Sequence, residues 1–457
     1  MSDVLTATGM IEIRSPEDGK PVHELPMASE EDVAEAFEAA LRTRKEWART
    51  PAAERGAAVH AAAAAVRDRA EELAELNHRE TGRDEAEARE GALAGASTLF
   101  QYAELGPVHR GRGLHGAYRA IDMMLPQPRG VVVALTSWNE PVAVSCGLLG
   151  AALVTGNVVI AKPSERAPAT GRLLGEILAE HLPPGVLCTL TGDSEVGARL
   201  VRNSRADVIA HVGSTATGRA IAVAAAYTGA KTVLENGGDD PLLIDSDVDP
   251  VWAAEQAALG AFTNSGQLCT SVERIYVHED IARPFLAALT RHATDATLPP
   301  LVDRRHRDHV HSHVVEALAR GAHRLTGGEI PPGPGAHYPA TVLTRCEQGM
   351  AVMDEETFGP VAPVRVVPDF DRGLAEAAAG RYGLAATVLT NSSEHAHRAW
   401  RELPVGTVKI NAVFGGAPGG AAEPRGASGT GYGYGPELLD ELTTTKVLHM
   451  DIAGGSR

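Results

Sequence analysis

The sequence predicts an α/β protein built on a parallel sheet, followed by a second α/β region. Two observations carry this. From Arg129 onward, short β-branched runs (RGVVVAL, NVVIAK, GVLCTL, ADVIAHV and KTVLE) alternate with Ala- and Leu-rich helical runs, the pattern of βαβ units with helices on both faces of a sheet. Four of these strands end in residues that carry chemistry: Trp138-Asn139, Lys162, Gly213-Ser214 and Glu235. The carboxyl edge of a parallel sheet is where such folds bind their ligands, so the clustering points to a site there.

In chain order, residues up to about Gly19 read as an extended entry segment. Ser29 followed by Glu30, Glu31 and Asp32 resembles a helix N-cap with an acidic first turn, and Val33, Phe37 and Leu41 place a core-facing stripe on that helix. A second helical stretch, 51–80, opens with Pro51 and stops at Gly82. Beyond Glu235, the strand-like RIYVHE, PVAPVRVV, AATVLT and GTVKIN are separated by helical runs such as HVVEALARG, and PPGPGAHYP between them is a turn-rich loop. The C-terminal ELLDELTTTKVLHMDI predicts a helical turn and then an edge strand.

With 457 residues, 44% hydrophobic and 22% charged, the chain has the composition of a globular enzyme of two or three domains. Its formal charge of -17 disfavours binding to nucleic acid or to anionic membrane surfaces. Four cysteines without CxxC spacing indicate neither a disulfide framework nor a structural zinc site. A reducing, cytoplasmic location fits them, and the N-terminus carries no secretory signal pattern. The uncharged run 142–161 contains glycines and Asn157, and reads as a buried helix and strand, not a membrane span. The histidines His306, His309, His311, His313 and His323 read as exposed helix residues beside a buried stripe of Val310, Val314 and Leu318, and no metal site is predicted.

The stretch from Glu235 to Cys269 joins a carboxylate at a strand end to a thiol in the polar loop NSGQLCTS, 34 positions on. Gly266 costs no side-chain volume there, so a ligand can approach closely. The turn HVGSTATG, 211–218, opens a helix whose N-terminal N–H groups and Ser214 hydroxyl suit an anion, and it reads equally as a plain capped helix. Lys162 and Glu165 can bind ribose hydroxyls, or form a strand-end salt bridge. Asn139 can donate to a developing oxyanion, or simply shape a turn.

Together these pieces resemble the aldehyde dehydrogenase superfamily over nearly the whole chain. TSWNEP resembles its oxyanion-asparagine motif, NVVIAKPSE its ribose-binding motif, HVGST its pyrophosphate-binding turn and ENGG its general-base motif. GQLCT resembles its nucleophile motif and EETFGP its nicotinamide-ribose motif. The resemblance implies a Rossmann-like parallel-sheet cofactor domain (1–115 and 130–237), an α/β catalytic domain (238–427) and a small β oligomerisation arm (116–129 and 428–457). It implies Cys269 as nucleophile, Glu235 as general base and Asn139 as oxyanion donor. Lys162, Glu165, Gly213, Ser214, Glu356, Phe358 and Trp138 would contact the cofactor, which Glu165 makes NAD in preference to NADP.

The implied partners are a small-molecule aldehyde and further copies of the chain, as a homodimer or homotetramer. A CoA-acylating dehydrogenase and a catalytically silent binding protein are the alternatives. Glu235 argues against the first, which needs no hydrolytic base, and the intact Cys269, Glu235 and Asn139 argue against the second. The chain departs from the family pattern at Glu140, Asn236 and Ser194, in the short HATDATLPPLVDRR connection, and in GGAAEPRGASGTGYGYG near the substrate entrance.

Overall fold

The structure is a computed structural model that describes residues 9–416 and 420–451. Among the described residues it has a mixed α/β fold with two large, mainly parallel sheets, a three-stranded antiparallel sheet and two small two-stranded antiparallel sheets. The first sheet has the strand order Gly429–Thr430, Lys231–Glu235, Val208–Val212, Val131–Leu135, Val158–Lys162, Leu187–Thr189. Its last five strands are parallel. All five residues of Val131–Leu135 and of Val158–Lys162 are buried, as expected for strands covered on both faces. The chain runs outward from Val131–Leu135 to Leu187–Thr189, then crosses back to place Val208–Val212 on the other side. A crevice therefore opens beyond the carboxyl ends of these two central strands, at the residues that carry Trp138-Asn139 and Gly213-Ser214.

The second sheet has seven strands, in the order His323–Thr326, Thr341–Thr344, Val361–Val367, Val272–His278, Asp240–Ile244, Ala385–Leu389, Thr407–Ile410. Only the first of these is antiparallel to its neighbour. Separate apolar clusters pack on its faces, one around Tyr276, Val310 and Val314, the other around Phe262, Ile275 and Phe285. The third sheet pairs Ile121–Pro128 with Thr443–Met450 over eight residues and with Arg112–Leu114 on its other side.

Ser29 and Asp32 form a reciprocal capping box on the helix Glu30–Arg49, and Val33 and Phe37 are buried on its inner face. Three local expectations change. The entry segment is a hairpin, Met10–Arg14 with Pro21–Pro26. The stretch 51–80 is two helices, Ala52–Asp68 and Ala70–Thr81, which meet at Arg69, and the second ends on Gly82 in the left-handed region. The segment grouped with the arm from 428 onward first serves the large first core. Gly429–Thr430 pairs with Leu234 and Glu235, and Leu438, Leu439 and Leu442 are buried in that core before Thr443–Met450 leaves for the arm. Ile452, at the far end of the predicted arm strand, lies outside the described residues. Among the described residues no helix is long and apolar enough to cross a membrane.

Candidate active site

Cys269 sits in a loop whose backbone is fixed before the thiol is reached. After the helix Pro250–Phe262, Asn264, Ser265 and Gly266 adopt φ values of 47°, 54° and 73°. Such a run is costly for residues with a side chain and has to be held by its surroundings. Gly266 is required, because a Cβ there would strike the carbonyl of Gly359. Gln267 pins the loop from both ends of its amide: Oε1 accepts from Val302 N–H at 2.9 Å and Nε2 donates to the Asn264 carbonyl at 3.0 Å. The buried Asn139 Nδ2 donates to the Gln267 carbonyl at 3.0 Å, which ties the first sheet's strand end to the cysteine loop.

Burial pushes the Cys269 thiol well above its usual range, and the carboxylates of Glu235, Asp240, Glu356 and Glu140 push it further. The thiol is therefore protonated at neutral pH in the free chain. Glu235 closes the strand Lys231–Glu235, where its carbonyl accepts from Gly213 N–H at 3.0 Å. Its carboxyl group packs against Gly433, which has no room for a side chain, and burial raises its pKa. Among the described residues no hydrogen bond joins Cys269 to Glu235.

Two adjoining cavities share Ser137, Trp138, Arg166, Gly213 and Ser214 and form one cleft. The part of about 470 Å³ holds Cys269, Glu235, Asn139, Glu356, Phe358 and Trp138. The part of about 680 Å³ holds Lys162, Glu165, Gly213 and Ser214. The sequence-predicted residues thus meet in one continuous space. Lys162 is buried, with Nζ donating to the carbonyls of Pro163 (2.9 Å) and Gly192 (2.7 Å) and lying 4.0 Å from the Glu165 carboxylate. Ser214 caps the helix Thr215–Thr228, accepting from Thr217 N–H at 3.3 Å. A carboxylate and an ammonium for ribose hydroxyls, a helix N-terminus for phosphate and an extended cleft between them fit a dinucleotide.

Glu356 accepts from Gly238 N–H at 2.9 Å, and its carboxyl group is pushed up to about 7, chiefly by burial. Phe358 has φ 53° and stacks edge-on to Trp138 with ring centroids 5.5 Å apart. The conformation is held by Glu273, whose buried carboxylate accepts from Thr357 N–H (3.1 Å) and Phe358 N–H (2.9 Å).

Several contributors were not visible in the sequence. Glu273 stands in the strand Val272–His278 with nothing local to mark it. Arg83, just past a helix end, donates to the Asn139 carbonyl at 2.9 Å and pairs with Glu140. Arg166 lines both cavities and lies over Trp138, 5.3 Å from its ring. The histidine run needs correction, since His306 and His313 are buried. His306 Nε2 donates to the Phe358 carbonyl at 2.7 Å, and burial beside Arg166 lowers its pKa to about 4. His309, on the same helix, lines the catalytic cavity. The helix Arg304–Ala319 shows an apolar stripe in its sequence, but the sequence does not show that the fold also covers His306 and His313.

Residues 4–448 match a model of the aldehyde dehydrogenase family. The chain is 34% identical over 403 residues to an α-ketoglutarate semialdehyde dehydrogenase of Haloferax volcanii, covering 84% of this chain and 83% of that protein. Among solved structures it is similar to lactaldehyde dehydrogenase from Escherichia coli (TM-score 0.94, 28% identity, 98% of this chain and 96% of that one). It is also similar to betaine aldehyde dehydrogenase from Staphylococcus aureus, solved in complex with NAD+ (TM-score 0.94, 27% identity, 98% and 94%).

Proposed function

This chain belongs to the aldehyde dehydrogenase family, and from that premise we propose that it oxidises an aldehyde to a carboxylic acid with NAD, through a thioester on Cys269. The observation that carries the reading is the single cleft in which Cys269, Glu235 and Asn139 face one cavity and Lys162, Glu165 and Ser214 face the adjoining one.

Cys269, once deprotonated, attacks the carbonyl carbon. Asn139 has two amide hydrogens and spends one on the Gln267 carbonyl, which leaves the second for the tetrahedral oxyanion, alongside the Cys269 backbone N–H. Bound nicotinamide supplies the acceptor for the hydride that leaves as the thioester forms. Glu235 then takes a proton from water, and the hydroxide so generated displaces Cys269 and releases the acid. A carboxyl group whose pKa is raised by burial is a better proton acceptor than an ordinary glutamate, at the cost of being protonated at low pH. Glu356 and Phe358 position the nicotinamide ribose and ring, Trp138 and the Gly213-Ser214 turn hold the pyrophosphate, and Lys162 with Glu165 holds the adenosine ribose. Glu165 favours NAD, because a 2′-phosphate would meet its carboxylate.

We assign 1–115 and 130–237 to cofactor binding, 238–427 to catalysis and 116–129 with the C-terminal strand to an arm that pairs copies of the chain. Ile121, Leu125, Val447, Leu448 and Met450 are exposed on that arm, and a second copy would cover them. The free cysteines fit a reducing, cytoplasmic setting. The test is a panel of aliphatic, aromatic, hydroxylated and ω-carboxylated aldehydes, assayed with NAD and NADP, with and without CoA. Free acid formed with NAD supports the reading; acyl-CoA as product, or no turnover of any aldehyde, overturns it.

A further inference from the structure

Arg166 stands where the two parts of the cleft meet. It lines both the cavity that holds Lys162 and Ser214 and the cavity that holds Cys269 and Glu356. Its Nε lies 2.8 Å from the Asp303 carboxylate, and its guanidinium lies over the face of Trp138. Asp303 is itself fixed, because it caps the helix Arg304–Ala319 by accepting from His306 N–H at 2.6 Å. Trp138 is packed against Phe358 and His306. The guanidinium is therefore held on two sides, by Asp303 and by the Trp138 ring. Among the described residues, neither of its terminal nitrogens donates a hydrogen bond, and burial lowers its pKa. Asp303 takes up the Nε side of the guanidinium, which leaves the terminal nitrogens as donors for a second anion.

We propose that Arg166 binds the pyrophosphate of the dinucleotide, as the counterpart of the Ser214 helix N-terminus that lines the same cleft. The inference rests on the NAD-binding reading above and goes beyond it by assigning a charged phosphate ligand that the motifs do not contain. Ser214 and the first turn of Thr215–Thr228 offer neutral N–H donors. Arg166 offers a planar fork that matches phosphate geometry, on a residue tied through Asp303 to the helix that carries His306 and His309. The pyrophosphate would thus rest on a side chain that already joins the Lys162-to-Arg166 segment to that helix.

Adenosine, AMP, ADP-ribose and NAD are titrated calorimetrically into the full-length wild type, R166Q and R166K. A charge-assisted phosphate contact is worth about 1.5–3 kcal/mol, so R166Q weakens ADP-ribose and NAD by roughly ten- to a hundredfold. Adenosine, which has no phosphate, binds R166Q as it binds the wild type, and this also reports that the cleft has kept its shape. R166K recovers part of the loss, and the wild-type affinity for ADP-ribose falls with added salt more steeply than that of R166Q. Equal loss for adenosine and ADP-ribose would make Arg166 a support for Trp138 and Asp303 and overturn the proposal, as would an unchanged ADP-ribose affinity. If the wild type binds none of the four, the cofactor reading fails first and takes the proposal with it. If R166Q does not fold, R166K decides: ADP-ribose affinity unchanged or lost in step with adenosine overturns the proposal, and a selective loss sustains it.

Discussion

The two ends of the cleft have opposite electrostatics. The cofactor end is lined by Lys162, Arg166, Arg202 and Arg305, with Glu165 as the one carboxylate among the described residues. The catalytic end surrounds Cys269 with Glu235, Asp240, Glu356 and Glu140, each of which disfavours the thiolate. On a chain of formal charge -17, the cationic end is a local exception of the charge that suits a polyanion. The acidic end raises the pKa of the Cys269 thiol. The difference teaches that the cationic side chains and the thiol occupy separate parts of the cleft, so binding and activation can be tested one at a time.

The strongest way to break the comparison is to remove the sulfur. C269A is expected to lower turnover by about 10⁴-fold or more while leaving NAD affinity within about twofold, read by NADH absorbance and by calorimetry. A C269A variant that also loses NAD binding would join the two ends that the comparison separates.

E235Q comes next and has two opposed effects. Loss of the base is expected to lower steady-state turnover by about 10²–10⁴-fold, with a burst of NADH as the thioester accumulates. Loss of the largest carboxylate contribution around Cys269 lowers the thiol pKa, so alkylation by iodoacetamide at pH 8 becomes faster in the same variant. In the wild type, the raised pKa of Glu235 moves the acid limb of turnover above the 4.5 of an ordinary glutamate, since the base form exists only above that pKa. An acid limb at or below 4.5 would remove Glu235 from the base role.

At the cofactor end, E165Q is expected to leave NAD binding weakened by about threefold and NADP binding improved, for a shift of roughly tenfold in their ratio. Glu356 lies at the catalytic end, where the proposed nicotinamide ribose would meet it. With its carboxyl group at about 7, it is an acceptor above that pH and protonated below it, so NAD affinity falls as the pH drops through about 7 in the wild type and not in E356Q.

Much of this was readable in the sequence because the first sheet is written in local signals. Four of the five β-branched runs lead directly into a candidate site residue, and the carboxyl ends of parallel strands lie on one edge of the sheet. Asn139, Lys162, Ser214 and Glu235 are legible for that reason. Glu273, Arg83 and Arg166 are not, because each acts on residues distant in sequence: Glu273 on Thr357 and Phe358, Arg83 on Asn139 and Glu140, Arg166 on Trp138 and Asp303. A carboxylate in a strand or an arginine after a helix has no periodicity that reveals a remote partner. His306 misled for a related reason. Its helix has a clear apolar stripe, yet the fold lays Phe358 over an adjoining face, and a histidine read as exposed becomes a buried donor to that backbone.

The smallest expected effect is at Glu140, and it tests whether the acidic end is tuned by pairs or by the net count of charges. Glu140 contributes least among the carboxylates named around Cys269, and it is the one paired with Arg83. Burial raises the Glu140 pKa and Arg83 opposes that rise. In E140Q the guanidinium of Arg83 keeps its bond to the Asn139 carbonyl and has Glu87 at 3.8 Å as its nearest remaining carboxylate. The cation is then less compensated, so the Cys269 thiol pKa falls slightly and alkylation at pH 8 rises by about two- to threefold, below the gain in E235Q. The offset pair also has a structural cost when broken, since it leaves a largely buried guanidinium short of its partner, and a lower melting midpoint is expected. Slower alkylation in E140Q would mean that Glu140 acts through the placement of Asn139 and not through its charge, and the acidic end would then be defined by Glu235, Asp240 and Glu356 alone.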